Sequence, residues 1–265
     1  MSNWVVILLG IIEGLTEFLP VSSTGHLLLV EHGLGLATQP SELFNVVIQS
    51  GAVMAVIVVF GGRLKRMAHD WQTFEVRDFT AKLFVAFVLT AIGGLILKKV
   101  FPGLPETATP VAVATLVGGI LILVVERCLG RREGTSHVSW SVAILIGLSQ
   151  LLAICFPGTS RSGATILVGL VAGLSRPAAT EFSFLLGVPT LLAAGGYKVL
   201  SALRHPGEPH EPWSQLLLGT VVGAIAAFVV VRWLLRYVQN HTFVVFGWYR
   251  VILGSIILLI AFLQR

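Results

Sequence analysis

Charge is scarce in this sequence. Asp, Glu, Lys and Arg supply 12% of its 265 residues, and only 13 of them are acids, too few to clothe a water-soluble domain of this length. Cysteine is scarcer still. Cys128 and Cys155 are the only two; one sits at a helix end and one in an apolar run, without metal-site spacing, so neither a disulfide nor a zinc site is expected. The apolar run at residues 4–12 has no basic stretch before it and no small-residue cleavage site after it, which argues against a removable signal peptide. What abounds is apolar: 55% of the chain is hydrophobic and the mean hydropathy is +0.88. These values predict a polytopic membrane protein. The net charge of +5 comes from basic residues in short loops between apolar runs, where they set orientation, so nucleic acid is not an expected partner.

Against this background one stretch stands out: Glu13-Gly-Leu-Thr-Glu-Phe-Leu-Pro-Val-Ser-Ser-Thr-Gly-His26. It puts two carboxylates, several hydroxyls and an imidazole into an oily N-terminal region. An acid at a helix centre costs about 2.5–3.5 kcal/mol on insertion scales, so ionisable groups at bilayer depth mark sites. Glu13 and Glu17 fall four apart on one helix face, where a proton or a cation would relieve their repulsion. Pro20 breaks the helix. Ser22, Ser23, Thr24 and Gly25 then supply hydroxyls and a backbone that can approach a ligand closely, and His26 can carry a proton or pair with an anion.

The apolar segments on either side, about Trp4–Leu19 and Leu27–Leu36, are short of the roughly 20 residues that cross a bilayer. They predict a re-entrant helix pair lining a cavity. Full spans are predicted at Phe44–Phe60, Leu83–Leu97, Val111–Val125, Phe182–Leu200, Leu216–Leu235 and Phe243–Leu263. Asn45 and Gln49 share a face of the first; they either face the cavity or bond a neighbouring helix. Trp213, Trp233, Trp248, Tyr237 and Tyr249 lie near span ends, as interfacial anchors do.

The second half repeats the interrupted design. Trp140–Phe156 is apolar, Pro157-Gly-Thr-Ser-Arg-Ser-Gly-Ala-Thr165 is polar, and Ile166–Leu174 is apolar again. One constant offset lays Pro157 over Pro20, Thr159 over Ser22, Ser160 over Ser23 and Gln150 over Glu13; an offset two places longer lays Glu181 over Glu42. Paired interruptions in two halves point to a site between structural repeats. The expected repeats are residues 1–126 and 138–265 of a single membrane domain. With six spans, Arg63, Lys65, Arg66, Arg77, Lys82, Arg127, Arg131, Arg132, Arg176, Arg232 and Arg236 fall on one side, and Lys98, Lys99, Lys198, Arg204 and Arg265 on the other. The first side is expected to be cytoplasmic. Three spans separate the two re-entrant regions, so they enter from opposite faces, an inverted topology.

Arg161, set among Ser160, Ser162 and Thr165, suits phosphate: a planar bidentate fork at the start of a helix whose amides add donors. Its alternative role is to neutralise Glu13 or Glu17. The two roles are compatible, since a substrate can replace such a pair. For the two acids the alternative is a shared proton or an ion pair. His26, three residues after Ser23, is a candidate activator of a hydroxyl nucleophile. Glu31, Glu42 and Glu181 lie near span ends, where water-facing or structural roles are expected.

These motifs, with Glu181-Phe-Ser-Phe-Leu-Leu186 and Phe44-Asn-Val-Val-Ile-Gln49, resemble the undecaprenyl-diphosphate phosphatases, also called bacitracin resistance proteins, over essentially the whole chain. The resemblance implies an all-α integral enzyme of the bacterial cytoplasmic membrane, with six transmembrane helices plus two re-entrant pairs in an inverted repeat, and a site opening to the outer face. It implies hydrolysis of undecaprenyl diphosphate to the lipid carrier for cell-wall sugars, with bacitracin competing indirectly by sequestering that substrate. Carried onto matching residues, Glu13 and Glu17 hold a divalent cation, Mg2+ or Ca2+, and Arg161 clamps the phosphates. Ser23, helped by His26, is the nucleophile, with metal-positioned water as the alternative. Ser22, Thr24, Ser160, Ser162 and Thr165 contact the substrate, and the isoprenyl tail leaves sideways between spans. The rival class is a transporter or flippase of a polyprenyl phosphate lipid, because inverted repeats with broken helices are also typical of secondary transporters. A structural membrane scaffold ranks last, since it leaves the paired acids and the Arg-hydroxyl loop unexplained.

Overall fold

The computed structural model describes residues 1–33, 40–100, 107–130, 133–205 and 210–263, without the side chains of His32 and Lys98. These residues form helices α1 (Asn3–Thr16), α2 (Ser23–Gly33), α3 (Glu42–Val59), α4 (Gly61–His69), α5 (Phe74–Val100), α6 (Ala108–Leu129), α7 (Trp140–Ser149), α8 (Leu151–Cys155), α9 (Arg161–Val171), α10 (Arg176–Arg204), α11 (Trp213–Asn240) and α12 (Val244–Leu263). No strand occurs among the described residues; there is only an isolated bridge between Thr135 and Leu174.

Among the described residues six helices are long and apolar enough to cross a membrane: Glu42–Val59, Phe74–Leu97, Ala108–Leu129, Arg176–Arg204, Trp213–Tyr237 and Val244–Leu263. The helices α1, α7 and α9 are apolar but shorter. The outer faces of the long helices carry large apolar side chains, with Val58, Phe84, Ile225 and Ile252 each more than half exposed. That is the surface of a multi-pass protein whose solvent is lipid.

Several helices run past the apolar spans read from the sequence, because backbone hydrogen bonding continues where hydropathy falls. α5 begins at Phe74, well before Leu83, and Lys82, expected in a basic loop, lies on it, buried and paired with Asp78 one turn earlier. Arg63, Lys65 and Arg66 likewise sit on α4. Helix starts are fixed by serine caps that accept backbone N–H groups: Ser41 from Phe44, Ser139 from Val142, Ser160 from Gly163 and Ser175 from Ala178. Each such cap stabilises by about 1 kcal/mol. Of the loop charges used for orientation, Arg131, Arg132, Arg265 and the Lys98 side chain lie outside the described residues, as does Leu36 at the end of the second predicted apolar segment.

Small residues bring the helix backbones together. A Cβ on Gly10 of α1 would come within 2.8 Å of the Gly219 carbonyl on α11, and one on Gly119 of α6 within 2.8 Å of the Gly247 carbonyl on α12. Ion pairs join further elements, and the first of them is buried. Arg176 at the start of α10 meets Glu126 near the end of α6 at 2.5 Å, and the Phe243 amide donates to the same carboxylate at 2.8 Å. Glu181 pairs with Arg63 at 3.3 Å and Glu42 with Lys198 at 2.5 Å. These acids therefore have structural partners, as expected of residues near span ends.

Candidate active site

The site is built where the short helices stop. Glu17 caps the end of α1, its amide donating to the Glu13 carbonyl at 2.9 Å, so the two acids remain one turn apart. Glu13 is fully buried, and neither of its carboxylate oxygens has a hydrogen-bond partner among the described residues. Glu17 accepts from Arg161 Nη2 at 3.2 Å and from Ser23 Oγ at 3.1 Å. The chain then turns through Pro20 and re-enters helix at Ser23. Ser22 makes that turn at φ +73°, the only positive φ at a non-glycine among the described residues. A left-handed residue with a side chain costs about 1–3 kcal/mol and persists where its surroundings hold it. Here His26 Nδ1 lies 2.8 Å from the Ser22 carbonyl, which can only accept, so Nδ1 carries the proton. Nε2 then accepts from the Tyr249 hydroxyl at 2.6 Å.

The second loop meets the first from α9. Gly158 takes φ +89° against the backbone of Val111, a position open only to glycine. Arg161 opens α9, its guanidinium 5.4 Å over the Phe18 ring and packed on Gly187 of α10, where a Cβ would stand 2.7 Å from Nη1. Nη2 holds Glu17; Nε and Nη1 are buried with no hydrogen-bond partner among the described residues. Ser162 Oγ donates to the Leu19 carbonyl at 2.9 Å and stands 3.0 Å from Ser160 Oγ. Thr165 Oγ1 lies 2.9 Å from the Arg161 carbonyl and 2.6 Å from Ser183 Oγ.

These elements enclose a cavity of about 300 Å3. Glu17, Ser22, Ser23, Thr24, Ser160 and Arg161 line it, together with Gln49, Thr90 and Gln150. Of the residues singled out in the sequence, Glu13, His26, Ser162 and Thr165 do not line it. Ser162 and Thr165 spend their hydroxyls on stitching the two loops and α10 together. His26 is turned away from Ser23, because both ring nitrogens are engaged by Ser22 and Tyr249; the hydroxyl of Ser23 is bonded to Glu17 instead. Gln49 faces the cavity, whereas the buried Asn45 Oδ1 has no hydrogen-bond partner among the described residues. Among the described residues no cluster of three acidic, histidine or cysteine side chains forms. A cation here would draw on the two acids, neighbouring hydroxyls and substrate oxygens, a set of hard oxygen ligands. The orphaned carboxylate of Glu13 fits that requirement.

Sequence reasoning missed Arg250. It lies on α12, 2% exposed, and donates to the carbonyls of Thr115 (3.1 Å), Ala114 (3.2 Å), Gly158 (3.3 Å) and Pro20 (3.4 Å). Pro20 belongs to the first loop and Gly158 to the second, so one guanidinium ties both. The signal was present: a lone charge inside the run Phe243–Leu263 is as costly as the acids at the other end of the chain. Tyr249, read as an interfacial anchor, also proves to be the partner of His26.

The profile of the family described as Bacitracin resistance protein BacA matches residues 6–256. Proteins named Undecaprenyl-diphosphatase match over nearly their full lengths. The one from Rhizobium etli is 49% identical over 95% of this chain and 94% of its own. That from Xanthomonas oryzae pv. oryzae is 46% identical over 96% and 95%, and that from Xylella fastidiosa 45% over 95% and 96%. The family match takes in both polar loops, the helices between them and Arg250 on α12, so the two-loop site and the fold that carries it are covered together, and the chain belongs to the BacA family of bacitracin resistance proteins.

Proposed function

We propose that this protein hydrolyses undecaprenyl diphosphate to undecaprenyl phosphate and inorganic phosphate, recycling the lipid carrier of cell-wall synthesis and so conferring bacitracin resistance. The names of its relatives support the reaction. The observation that carries it to this chain is Arg161, whose Nε and Nη1 are buried and unpartnered beside the cavity that also holds Ser23 and Glu17. A planar fork with free donors is matched to phosphate oxygens.

In this reading Arg161 binds the diphosphate, with Ser22, Thr24 and Ser160 as hydroxyl donors around it. Ser23 Oγ bonds to the terminal phosphorus as the anhydride P–O bond breaks, and its proton passes to Glu17, already its acceptor at 3.1 Å. Polyprenyl phosphate departs. Water then attacks the phosphoseryl phosphorus, giving up a proton to the site as inorganic phosphate and the serine hydroxyl are restored. His26 acts here as a positioning residue that holds the Ser22 turn. A divalent cation, Mg2+ or Ca2+, held by Glu13 and Glu17, would neutralise charge on the diphosphate.

The architecture in this reading is an inverted repeat with two re-entrant pairs, α1–α2 and α7–α9. Repeated packing supports it. Gly10 of α1 rests on the backbone of Gly219, and Gly147 of α7, at the same offset that relates the two polar loops, rests on the backbone of Ala86. Gly14 meets Ala226, and its counterpart Leu151 meets Gly93. Gln150, which corresponds to Glu13, bonds Thr90 at 2.8 Å, whereas the Glu13 carboxylate has no hydrogen bond among the described residues. The difference suits a carboxylate kept for a ligand. The loop charges support a cytoplasmic-membrane protein with its cavity open to the outer face.

Purified protein in detergent is expected to release inorganic phosphate from undecaprenyl diphosphate. A transporter needs two compartments and hydrolysis does not, so absence of release in detergent refutes the enzyme reading.

A further inference from the structure

Gln150 is a buried wall of the cavity that the proposed reaction leaves unused. It closes α7 as its C-cap, is 2% exposed, and lines the cavity with Arg161, Glu17 and Ser23. Its amide is held one way round. Thr90 Oγ1 lies 2.9 Å from the Ala86 carbonyl and 2.8 Å from that of Gly147, and its single proton belongs with these oxygens, which would otherwise meet only lone pairs. Toward Gln150, 2.8 Å away, the hydroxyl therefore accepts, and the Gln150 NH2 group donates to it. The other end of the amide is the carbonyl Oε1. It is buried without a hydrogen-bond partner among the described residues. Buried acceptors are satisfied by protein, water or ligand, so an orphaned one on a residue that lines a polar cavity marks a place for a donor.

The diphosphate is not that donor. Its oxygens accept, so they match Arg161 and the hydroxyls of Ser22, Thr24 and Ser160 and repel a carbonyl. Both carboxylate oxygens of Glu17 are already engaged, by Arg161 and Ser23. Gln49, also on the wall, is half-buried, and no hydrogen bond among the described residues fixes its amide. A cation is the other partner a carbonyl attracts, but Gln150 brings no charge, and its side-chain bond is to a hydroxyl. The species with protons to offer is water, which the second half of the reaction consumes.

We infer that the carbonyl oxygen of Gln150 holds the water that attacks the phosphoseryl intermediate, with Thr90 as the positioning residue that fixes the amide. This rests on the phosphatase reading above, with Ser23 as nucleophile. Gln150 accepts one O–H of the water and leaves its lone pair for phosphorus, as a glutamine orients the attacking water in GTP hydrolysis. The new P–O bond forms as the bond from phosphorus to Ser23 Oγ breaks. The proton that Glu17 took in the first step returns to Oγ, and the water's two protons leave with inorganic phosphate. An amide carbonyl is too weak a base to take a proton, so Gln150 orients the water without deprotonating it.

The test follows both halves of the reaction in the full-length protein, with undecaprenyl diphosphate labelled on its terminal phosphate and quenched in acid. In Gln150→Leu, kcat should fall about a hundredfold, while phosphoserine forms as fast as in the unaltered protein and then accumulates on most of the enzyme. Thr90→Val, which frees the amide to turn, should show the same accumulation with a smaller loss of kcat. Thr90→Ser keeps the hydroxyl and should behave as the unaltered protein does. A merely structural role slows both steps together. Unchanged kcat in Gln150→Leu, or a loss of kcat without added phosphoserine, overturns the inference. Recovery of Gln150→Leu in excess Mg2+ or Ca2+ also overturns it, by assigning the carbonyl to a cation. Should Gln150→Leu fail to fold, the two Thr90 variants decide by the same readout. Hydrolysis by Ser23→Ala refutes the serine step and this inference with it, whereas absence of phosphate release from the unaltered protein refutes the enzyme reading itself.

Discussion

Arg161 Nη2 stands 3.2 Å from Glu17 Oε1, joining side chains 144 positions apart in sequence. The pair explains why neither charge is ruinous inside an apolar bundle, since breaking a buried ion pair leaves the remaining charge uncompensated at a cost of about 3–5 kcal/mol. It also leaves two guanidinium nitrogens free. The pair is thus both structural, as one reading of the sequence had it, and open to an anion.

Replacing the fork while keeping the charge separates these roles. Arg161→Lys preserves a cation for Glu17 but not planar bidentate donors, so kcat/KM for diphosphate should fall about a hundredfold while the protein still purifies as a folded species. Gly187→Ala should act in the same direction and more weakly, because its methyl group would press on Nη1. Steady-state phosphate release on both variants checks this, and wild-type rates in Arg161→Lys would remove the fork from the site.

Ser23 offers a covalent test. With its hydroxyl already donated to Glu17 at 3.1 Å, Ser23→Ala should bind diphosphate and turn over almost none. Acid-quenched wild-type protein incubated with terminally labelled substrate should carry phosphate on Ser23. Substantial hydrolysis by the alanine variant would transfer the nucleophile's role to water.

How much of this was legible beforehand follows from what each residue does locally. The acids at positions 13 and 17, the serine turn and the Arg161 loop announced themselves because polarity in an apolar run is expensive and therefore specific. Helix ends were less legible. α5 continues through Asp78 and Lys82 because the ion pair between those two side chains lets the helix carry charge, which hydropathy alone cannot register. The direction in which a polar side chain points was not legible at all. Ser162 and Thr165 sit in the same motif as Ser160, yet only Ser160 reaches the cavity, because successive residues of α9 face different sides. His26 was assigned to Ser23 by nearness in sequence, but a helix carries its ring back to the Ser22 carbonyl and across to Tyr249 on α12. Such long-range partners have no local signature.

The orphaned carboxylate of Glu13 gives a metal prediction. If Glu13 and Glu17 hold a divalent cation, excess chelator should abolish hydrolysis and added Mg2+ or Ca2+ should restore it. Glu13→Gln, which removes one of the two charges, should raise the cation concentration needed for half-maximal rate about tenfold. Full activity in excess chelator would leave Glu13 to share a proton with Glu17 instead.

Orientation is checked by labelling. In a background where Cys128 and Cys155, both free thiols, are replaced by serine, a cysteine at Ser41 should react with an impermeant maleimide on intact cells. One at Lys65, on α4 at the opposite end of α3, should react only after the membrane is opened. Labelling of the Lys65 position from outside would reverse the assigned faces.

The final prediction concerns Arg250, which no sequence motif contains. Among the described residues its hydrogen-bond partners are all carbonyls, two of them from the loops that carry Ser23 and Arg161. A buried acceptor left without its donor costs about 1–3 kcal/mol. The helix carbonyls of Ala114 and Thr115 can fall back on their own helical bonds, whereas that of Pro20 has no other hydrogen bond among the described residues. Arg250→Met should therefore loosen the loops more than the helices, lowering the thermal midpoint in detergent by several degrees. Arg250→Lys restores charge without the reach to span four carbonyls, so it should recover the midpoint in part and activity less. A purely structural role would move stability and activity together in both variants. A positioning role requires kcat to recover less than the midpoint in Arg250→Lys, because the loops refold but the Glu17, Ser23 and Arg161 groups lose their register. Wild-type kcat in Arg250→Lys would confine this residue to holding the fold.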